Sequence, residues 1–298
     1  MDLDAALVRA LQEDGRASVQ TLAARLGQPR AAVSRRLRAM LADGTVRVIA
    51  AVDPAVLGQH VLAHVSIRTD GAVEPIAEQL RRLDETVLVS AVGGTHGIVT
   101  EVRLGSMAAL HELLARIRAL PGVAGISTLI YSAVVKGFFV SHLRAPVRID
   151  ATDASLVEEL QRDGRQSLRA LGETVRLSPS AVATRLDRLT GSGVITVRAV
   201  EARGLTRRQL SMGVGLTLTA DDDAVLTALA AWPDVDFAAR TIGRFDAVAT
   251  LVQPSAGALH ESLERIRSLP GVAGLETWLH LAVVKEDYTR TLRPVVTA

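Results

Sequence analysis

The segment Leu11-Gln-Glu-Asp-Gly-Arg16 returns as Leu160-Gln-Arg-Asp-Gly-Arg165, and this recurrence decides the organisation of the chain. Residue 11 becomes residue 160, an offset of 149, which is half of the 298 residues. Two further motifs recur at the same offset: Arg-x-Leu-Pro-Gly-Val-Ala-Gly at 118–125 and 267–274, and Ala-Val-Val-Lys at 133–136 and 282–285. Three matches at one offset indicate a duplication. Because the period far exceeds the roughly 20–50 residues of solenoid repeats, each copy must contain complete domains.

The first third of each copy predicts three helices. In the first copy, Leu7 and Leu11 lie on one side of a helix that ends at Gly15, and Ser18 can cap a second helix. A third helix is predicted over Arg30–Asp43, where the following glycine ends it. The second copy repeats this pattern.

The third helix of the second copy has the stronger start signal. Ser178 suits the N-cap position and Pro179 the first helical position. Short β-prone runs follow the third helices at Thr45–Val52 and Val194–Val200. Two short helices, a turn and a third helix are typical of a helix-turn-helix domain, in which the last helix reads DNA.

The third helix of each copy pairs a buried stripe with a polar face. Val33, Leu37 and Met40 predict the buried side in the first copy. The predicted DNA-contacting residues are Arg30, Ala31, Ser34, Arg35 and Arg38 in the first copy and Ser180, Ala183, Thr184, Arg185, Asp187 and Arg188 in the second. Arginine forks can grip phosphates and guanine edges, whereas Asp187, at the position of Arg38, repels phosphate or selects a cytosine amine. The alternative is an ordinary solvated helix face.

The remaining two thirds of each copy predict strands and helices in the order β-α-β-β-α-β, the split βαβ sandwich. The predicted elements span 61–69, 73–83, 86–92, 98–104, 110–117 and 126–135 in the first copy, and 212–219, 223–232, 235–241, 247–252, 259–269 and 275–284 in the second. The helices cover one sheet face, and the last strand is apolar almost throughout. The other face must therefore meet a partner, which predicts sheet-on-sheet pairing between copies, within the chain or between chains.

Composition narrows the class of protein. No apolar run approaches the ~18 residues of a membrane span, and the N-terminus lacks the order of a signal peptide, so a soluble cytoplasmic protein without a membrane partner is expected. Cysteine is absent, which excludes disulfides and thiolate metal sites. Lysine occurs only at Lys136 and Lys285, so nearly every cation is an arginine. Arginine suits phosphate binding, but a coding bias explains the same excess.

Taken together, the motifs resemble the Lrp/AsnC family of transcriptional regulators over both copies. The resemblance is carried by Asp14–Arg16 and Asp163–Arg165, by Leu-Ser-Pro-Ser-x-Val at Leu177–Val182, and by the Leu-Pro-Gly-Val turn before the last strand. It implies a winged helix-turn-helix domain followed by a ligand-sensing βαββαβ domain, dimers formed through the sensor sheets, and amino-acid effectors bound near the sensor interfaces. The family usually has one unit per chain, so a tandem chain is expected to imitate the family's dimer and to assemble further as a homo-oligomer.

The resemblance also points to a loop between the middle strands of each sensor. The family often has a Gly-x-Tyr-Asp-like loop there, and Gly243-Arg244-Phe245-Asp246 is similar to it, whereas Gly94-Thr95-His96-Gly97 lacks the acid. The predicted effector-binding residues are Gly94, Thr95, His96, Gly243, Arg244, Phe245 and Asp246. The functional interpretation places a charged or amine-bearing effector mainly on the second copy. The alternative is a tight turn in which Gly243 and Asp246 serve the backbone.

The sequence thus predicts an α+β chain with two copies of a winged helix-turn-helix domain and a βαββαβ sensor. The predicted segments are 1–52 and 153–201 for the helix-turn-helix domains, 60–140 and 210–298 for the sensors, and 141–152 for the linker. The predicted function is a sequence-specific regulator that binds double-stranded DNA and responds to a small molecule such as an amino acid. The rival is a sensing scaffold that no longer binds DNA.

An enzymatic function is not expected. The seven histidines do not converge in the sequence pattern, and no nucleophile elbow, phosphate loop or metal-ligand spacing occurs. We therefore expect no catalytic residues, no cofactor and no metal.

Overall fold

The computed structural model describes residues 3–137, 147–201, 209–219, 222–289, 292 and 295–296. These residues form two compact units, and each unit takes parts of both copies. The first unit holds residues 3–57 and 147–201 with the described residues after 287, and the second holds the remaining described residues. The duplication therefore produces two paired modules: a pair of helical heads and a pair of sensors.

The order of elements is the same in both copies. The first copy contains α1 (Leu3–Glu13), α2 (Val19–Leu26), α3 (Arg30–Ala42), β1 (Val46–Val52), a short 3-10 helix (Pro54–Leu57), β2 (Val61–Thr69), α4 (Glu74–Arg81), β3 (Thr86–Gly93), β4 (Ile98–Leu104), α5 (Met107–Arg118) and β5 (Val123–Lys136). The second contains β6 (Arg148–Ile149), α6 (Ala151–Arg162), α7 (Leu168–Val175), α8 (Pro179–Gly191), β7 (Ile195–Glu201), β8 (Leu210–Leu218), α9 (Asp222–Ala231), β9 (Val235–Ile242), β10 (Ala247–Gln253), α10 (Ala256–Arg267), β11 (Val272–Glu286) and β12 (Val295–Val296). The predicted fold class, two helix-turn-helix domains each followed by a β-α-β-β-α-β sensor, is confirmed.

Capping residues explain where the head helices begin. The side chains of Ser18 and Ser178 accept backbone N–H groups three residues further on, at the starts of α2 and α8. Helix α3 begins after Pro29 without a side-chain cap. Helix α6 begins with a capping box, in which the carboxylates of Asp150 and Asp153 each accept the backbone N–H of the other residue. These oxygens satisfy N–H groups that have no partner inside the helix.

A two-stranded ribbon joins the two heads. Strands β1 and β7 pair antiparallel over their full length, from Val46 opposite Glu201 to Val52 opposite Ile195. Val52 packs into the core of the second head, and Ala199 packs into the core of the first. The runs that the family resemblance assigns to a wing therefore connect the copies, and each head buries apolar surface of the other copy's strand.

The recurring Asp-Gly-Arg motif locks this ribbon to the helices. The N–H of Gly15 donates to the carbonyl of Val197 at 3.0 Å, and the N–H of Gly164 donates to that of Val48 at 2.7 Å. A Cβ on Gly15 would lie 2.7 Å from the Val197 oxygen, and one on Gly164 would lie 2.9 Å from the Val48 oxygen. Glycine is required at both positions because the two backbones approach so closely.

The arginine of each motif reaches across to the other copy. Arg16 donates to the carbonyl oxygens of Gly164 and Gln166, at 2.6 and 3.0 Å. Arg165 donates two equivalent bonds to carbonyl oxygens of the first copy, at 2.5 and 2.9 Å. The motif that carries the family resemblance thus forms a reciprocal clasp between the copies.

The second unit is a closed eight-stranded barrel in the order β10-β8-β11-β3-β4-β2-β5-β9. Each copy contributes four strands, and the seams between copies are the pairs β3–β11 and β5–β9. Each copy keeps its own apolar core between sheet and helices, exemplified by Val65 with Leu80 and Leu113 in the first and Val214 with Leu229 in the second. The opposite sheet faces line the barrel interior. The expected pairing of the sensors therefore occurs within the chain, through paired sheet edges as well as facing surfaces.

The last strands β5 and β11 create these seams because they are long. The first part of β5 pairs with β2 and its end pairs with β9, while β11 pairs first with β8 and then with β3. The repeated Ala-Val-Val-Lys segments lie in the parts that cross to the other copy. Lys136 Nζ donates to the carbonyl of Trp232 at 2.5 Å, and Lys285 Nζ donates to that of Leu83 at 2.7 Å. Both carbonyls follow helix C-termini, which attract cations.

The end of the chain differs from the expected boundaries. Val295 and Val296 pair with Ile149 and Arg148, and Leu292 joins the core of the second head. These residues belong to the unit of the heads, although the sequence pattern extends the second sensor to residue 298. A two-residue strand that pairs with a distant segment leaves no periodic signal. Residues 141–146 of the predicted linker lie outside the described residues, and the other boundaries stay predictions.

Candidate nucleic-acid interface and effector site

The outer face of α3 carries three exposed arginines. Arg30, Arg35 and Arg38 form no ion pair within the described parts of the chain. The Nε of Arg38 donates to the carbonyl of Ser34 one turn earlier, at 3.3 Å. Ala31 is exposed at the start of the same face, and Ser34 is half-buried. The five residues predicted for the first copy therefore share one accessible helix surface, and their contact with DNA stays a prediction.

The corresponding face of α8 has a different charge. Ser180, Thr184 and Asp187 are exposed and Ala183 is half-buried. Asp187 forms no ion pair within the described residues, so its carboxylate faces solvent without a compensating cation. This face offers hydroxyl groups and one negative charge.

The arginines of α8 are held by carboxylates of α6 and its N-cap. Arg185 Nη1 donates to Asp150 and Asp153, both at 2.8 Å. Arg188 donates to Asp153 at 2.5 Å and to the carbonyl of Arg148 at 2.9 Å. The Asp153 side chain is only 1% exposed. Withdrawing both arginines would leave a buried carboxylate without a cation, so these contacts count against the predicted role of Arg185 and Arg188 on DNA.

The same contact exists once in the first copy, where the sequence analysis missed it. Arg36 forms an ion pair with Asp4, and these residues are the equivalents of Arg185 and Asp153. This repeated ion pair connects the third helix to the first in both heads. The signal was available in the sequence, because a carboxylate and an arginine recur at the same offset of 149.

The two predicted effector loops lie against the other copy. Gly94 and Gly243 adopt φ values of 136° and 150°, in the region that favours glycine. A Cβ on Gly94 would contact the Thr277 carbonyl at 3.7 Å, and one on Gly243 would lie 3.0 Å from the Thr128 carbonyl. Each loop therefore packs on the last strand of the other copy.

Asp246 is occupied with the backbone of its own sheet. Its carboxylate accepts the N–H of Leu218 at 2.7 Å, its N–H donates to Leu216, and its carbonyl accepts the N–H of Thr241. These contacts favour the turn interpretation over direct effector binding. A role of Asp246 in the effector response stays a prediction.

Charged and aromatic groups of both copies converge beside these loops. Arg244 forms an ion pair with Glu276 at 2.7 Å and lies 4.1 Å above the ring of Phe245. Burial and the nearby Arg244 lower the pKa of His96, although Glu276 acts in the opposite direction. The structure thus brings His96 of one loop and Arg244 of the other into one electrostatic environment. Thr95 is exposed in the first loop.

The barrel interior holds polar residues that the sequence analysis did not select. His64 is 4% exposed, lies 3.1 Å from Ser66 Oγ, and its ring centre is 5.3 Å from that of Trp278. Burial lowers the pKa of His64 to about 3, with His280 adding to the shift. Alternation along β2 was the missed signal, because Ala63 and Val65 face the helices and His64 and Ser66 face the interior.

The second copy fills the same interior positions with glycine. Gly213 and Gly215 are the equivalents of His64 and Ser66. A Cβ on Gly213 would lie 2.0 Å from the Trp278 ring, and one on Gly215 would lie 2.2 Å from the Phe245 ring. The glycines make room for two aromatic rings that face the histidine side. The Trp278 Nε1 is buried without a hydrogen-bond partner among the described residues.

The described residues were also compared with the features of metal sites and membrane spans in one respect each: ligand grouping and helix apolarity. No group of three or more metal-ligating side chains is arranged to hold an ion there. No described helix combines the length and apolarity needed to cross a membrane.

The fold and these surfaces define a class: one-chain pseudo-dimers that pair helix-turn-helix heads and ferredoxin-like sensors. The model of the AsnC-type helix-turn-helix domain matches residues 2–41 and 149–190, and that of the Lrp/AsnC ligand binding domain matches 61–138 and 212–290. The chain belongs to the Lrp/AsnC family, with both domains present twice.

The matched regions of two similar proteins are about as long as one copy of the repeat. The HTH-type transcriptional regulator LrpA of Mycobacterium tuberculosis is 35% identical over 132 residues, which cover 43% of this chain and 88% of that protein. An uncharacterized HTH-type transcriptional regulator of Pyrococcus furiosus is 32% identical over 138 residues, covering 45% of this chain and 93% of the relative.

A solved structure matches the tandem arrangement. The siroheme decarboxylase NirDL aligns with a TM-score of 0.63 over 98% of this chain and 95% of its own, at 13% identity. At that identity the likeness shows the fold alone.

Proposed function

We propose that this protein is a sequence-specific DNA-binding transcriptional regulator whose occupancy of DNA is set by a small-molecule effector. The observation that carries the proposal is the outer face of α3, where Arg30, Arg35 and Arg38 stand exposed without carboxylate partners. Ala31 at the start of that face allows close approach to a groove. The regulators named above, which share the helix-turn-helix family, support the same function. A regulator that acts on DNA is compatible with the cytoplasmic location predicted from the sequence.

DNA binding through these arginines must depend on salt. Each neutralised phosphate releases counterions, so the affinity should fall by at least tenfold between about 50 and 200 mM salt. Fluorescence anisotropy with DNA from upstream of the protein's own coding sequence measures this. A salt-insensitive or absent interaction would favour the rival function, a sensing scaffold.

A matched pair of variants locates the interface. Arg35→Gln combined with Arg38→Gln should weaken binding by about 10- to 100-fold, because each lost contact is worth on the order of 1 kcal/mol. The control is Arg81→Gln, which removes an exposed sensor arginine that pairs with Glu78. If the control weakens binding as much as the α3 variant, the DNA does not bind at α3.

For the effector we propose the place where Arg244 and Glu276 lie near His96 of the other loop. An amino acid carries a carboxylate that fits Arg244 and an ammonium that fits Glu276, so it can replace their mutual ion pair. The side chains of that pair are 33% and 56% exposed, so solvent screens the pair and limits the free energy lost when it is replaced. The half-buried His96 and the ring of Phe245 border the same place.

Calorimetric titration with the standard amino acids tests this proposal. Glu276→Gln should reduce the affinity for the amino acid that binds, by about tenfold for one charged contact. Asp246→Asn, which alters the turn residue, serves as the comparison. Loss of effector binding in Asp246→Asn with full binding in Glu276→Gln would move the site to the turn.

A second candidate is an enzyme on the same tandem fold, as NirDL is. The observation that favours it is the interior of the barrel, where the buried His64 and the Trp278 indole face each other across the copies. A visible-absorption titration with an iron porphyrin decides between the two. If the protein is such an enzyme, the porphyrin spectrum should shift on binding, and His64→Gln should abolish the shift. The regulator proposal expects no shift of this kind.

A further inference from the structure

The two heads carry different charges although they share one fold. Residues 3–52 and 152–201 are equivalent segments of fifty residues. The first contains eight arginines and four carboxylates, a net charge of +4, whereas the second contains seven of each and is neutral. DNA binding draws most of its affinity from phosphate neutralisation, so the two heads are unequal candidates for the same duplex.

The difference is concentrated on the reading helices. Helix α3 contains four arginines and no carboxylate, whereas α8 contains two arginines and Asp187. Arg36 and Arg185 are equivalent and both pair inside their own heads. At the other positions, Arg30, Arg35 and Arg38 of the first head are replaced by Pro179, Thr184 and Asp187. In the opposite direction, Arg188 stands where the first head has Ala39.

The cations that α8 retains are not available at low cost. Arg185 and Arg188 both donate to Asp153, whose side chain is 1% exposed, and Asp150 and the Arg148 carbonyl complete the set of acceptors. A phosphate that recruited these guanidinium groups would leave the buried carboxylate unpaired, which is strongly unfavourable. Asp187 adds a repulsive charge at the position where the first head has Arg38.

We infer that one chain reads DNA with its first head alone, and that the second head is a supporting half that contributes no phosphate contact. The second head supports the first through the paired strands β1 and β7 and through the hydrogen bonds of Arg16 and Arg165. These contacts join the two heads. A chain of this kind occupies one half-site, and a paired site needs two chains. This inference rests on the proposed function and specifies which surface performs it.

The test compares matched changes in the two heads. The first-head variant replaces Arg30, Arg35 and Arg38 by Gln, and the second-head variant replaces Ser180 and Thr184 by Ala and Asp187 by Asn. All six substituted side chains are exposed, so we expect both variants to keep the fold. Thermal unfolding checks this. The probe is a random-sequence duplex of about three helical turns at about 50 mM salt, because phosphate binding does not depend on sequence.

The first-head variant should bind at least about 100-fold more weakly and lose roughly three units from the slope of log affinity against log salt. The second-head variant should stay within about twofold of the wild type. Equal losses in both variants would overturn the inference and leave the regulator function standing. A wild-type chain that does not bind the duplex at all would overturn the proposed function and the inference together.

A gain-of-charge variant provides an independent arm. Thr184→Arg with Asp187→Arg places the first head's arginines at the equivalent positions of α8. On the same duplex this variant should bind more tightly than the wild type, by about tenfold or more, with a steeper salt slope, since α8 gains phosphate contacts that it lacked. Unchanged affinity and slope would overturn the inference as argued, because the missing arginines would then not be what keeps the second head from binding phosphate.

Discussion

The two copies match at the clasp and at the barrel seams and differ on the outer faces of α3 and α8. The clasp places Gly15 and Gly164 in equivalent roles, and the seams of the barrel do the same for Lys136 and Lys285. The outer faces of α3 and α8 carry Arg38 in one copy and Asp187 in the other. Contacts between copies constrain both partners at once, because a change in either disturbs the shared packing. Surfaces that face outward are released from that constraint after a duplication.

The barrel interior is an exception, because the copies touch each other there and nevertheless differ. His64 of the first copy faces the ring of Trp278 of the second, while the equivalent of His64 is Gly213. The interior is therefore asymmetric, although the strand order around it is symmetric. Divergence inside the barrel created a surface that two identical copies could not form.

The largest effect is expected at the clasp, where the copies are most alike. Gly15→Ala with Gly164→Ala should lower the free energy of unfolding of the heads by about 4 kcal/mol, because each new Cβ meets a backbone carbonyl. The control is Gly191→Ala near the end of α8, where a Cβ meets nothing within 4 Å. That substitution should be neutral or slightly stabilising. Hydrogen exchange of the head helices measures the stability of both variants. A double variant as stable as the control would show that the close approach at Gly15 and Gly164 does not stabilise the heads.

The next largest effect is expected inside the barrel, where His64 should make the stability depend on pH. His64 has a folded pKa of about 3 against 6.5 unfolded, so the unfolded chain binds the proton more readily between those values. Stability should therefore fall as pH drops below 6.5, by about 3 kcal/mol from this residue between pH 7 and about 4.5. The neighbours that act on His64 are His280, Arg244 and His96.

Denaturant titration at each pH, followed by tryptophan fluorescence, measures this loss of stability. Trp232 and Trp278 are the two tryptophans of the chain, and both lie in the sensor unit. In His64→Gln the pH dependence over this range should shrink by about the same 3 kcal/mol. An unaltered pH dependence would show that His64 is not the group that titrates.

The smallest effect tests the symmetry of the seams. Lys136→Met and Lys285→Met each remove one cation from a helix C-terminus of the other copy, and each should cost about 1 kcal/mol. Denaturant titration of the two single variants, followed by tryptophan fluorescence, gives the comparison. A difference well beyond the extra bond of Lys285 to Thr86 would show that the two seams are not equivalent.

The duplication, the order of elements and the family could all be predicted from the amino-acid sequence. The offset of 149, the serine caps and the apolar periodicity are local or internal patterns, and secondary structure follows from such patterns. The outer face of α3 could also be predicted, because the stripe of Val33, Leu37 and Met40 determines which side of the helix is buried.

The folded chain was needed to learn which strands of the two copies pair and which polar groups already have hydrogen-bond partners. The sequence pattern of Asp246 fits an effector ligand, but its carboxylate accepts the N–H of Leu218, 28 residues away. Arg188 fits a DNA contact, but the buried Asp153 holds it. The barrel seams and the contact of His64 with Trp278 join residues of different copies. Periodicity reports which side of one element is apolar and carries no information on the partner that this side meets, so such contacts exist only once the chain has folded.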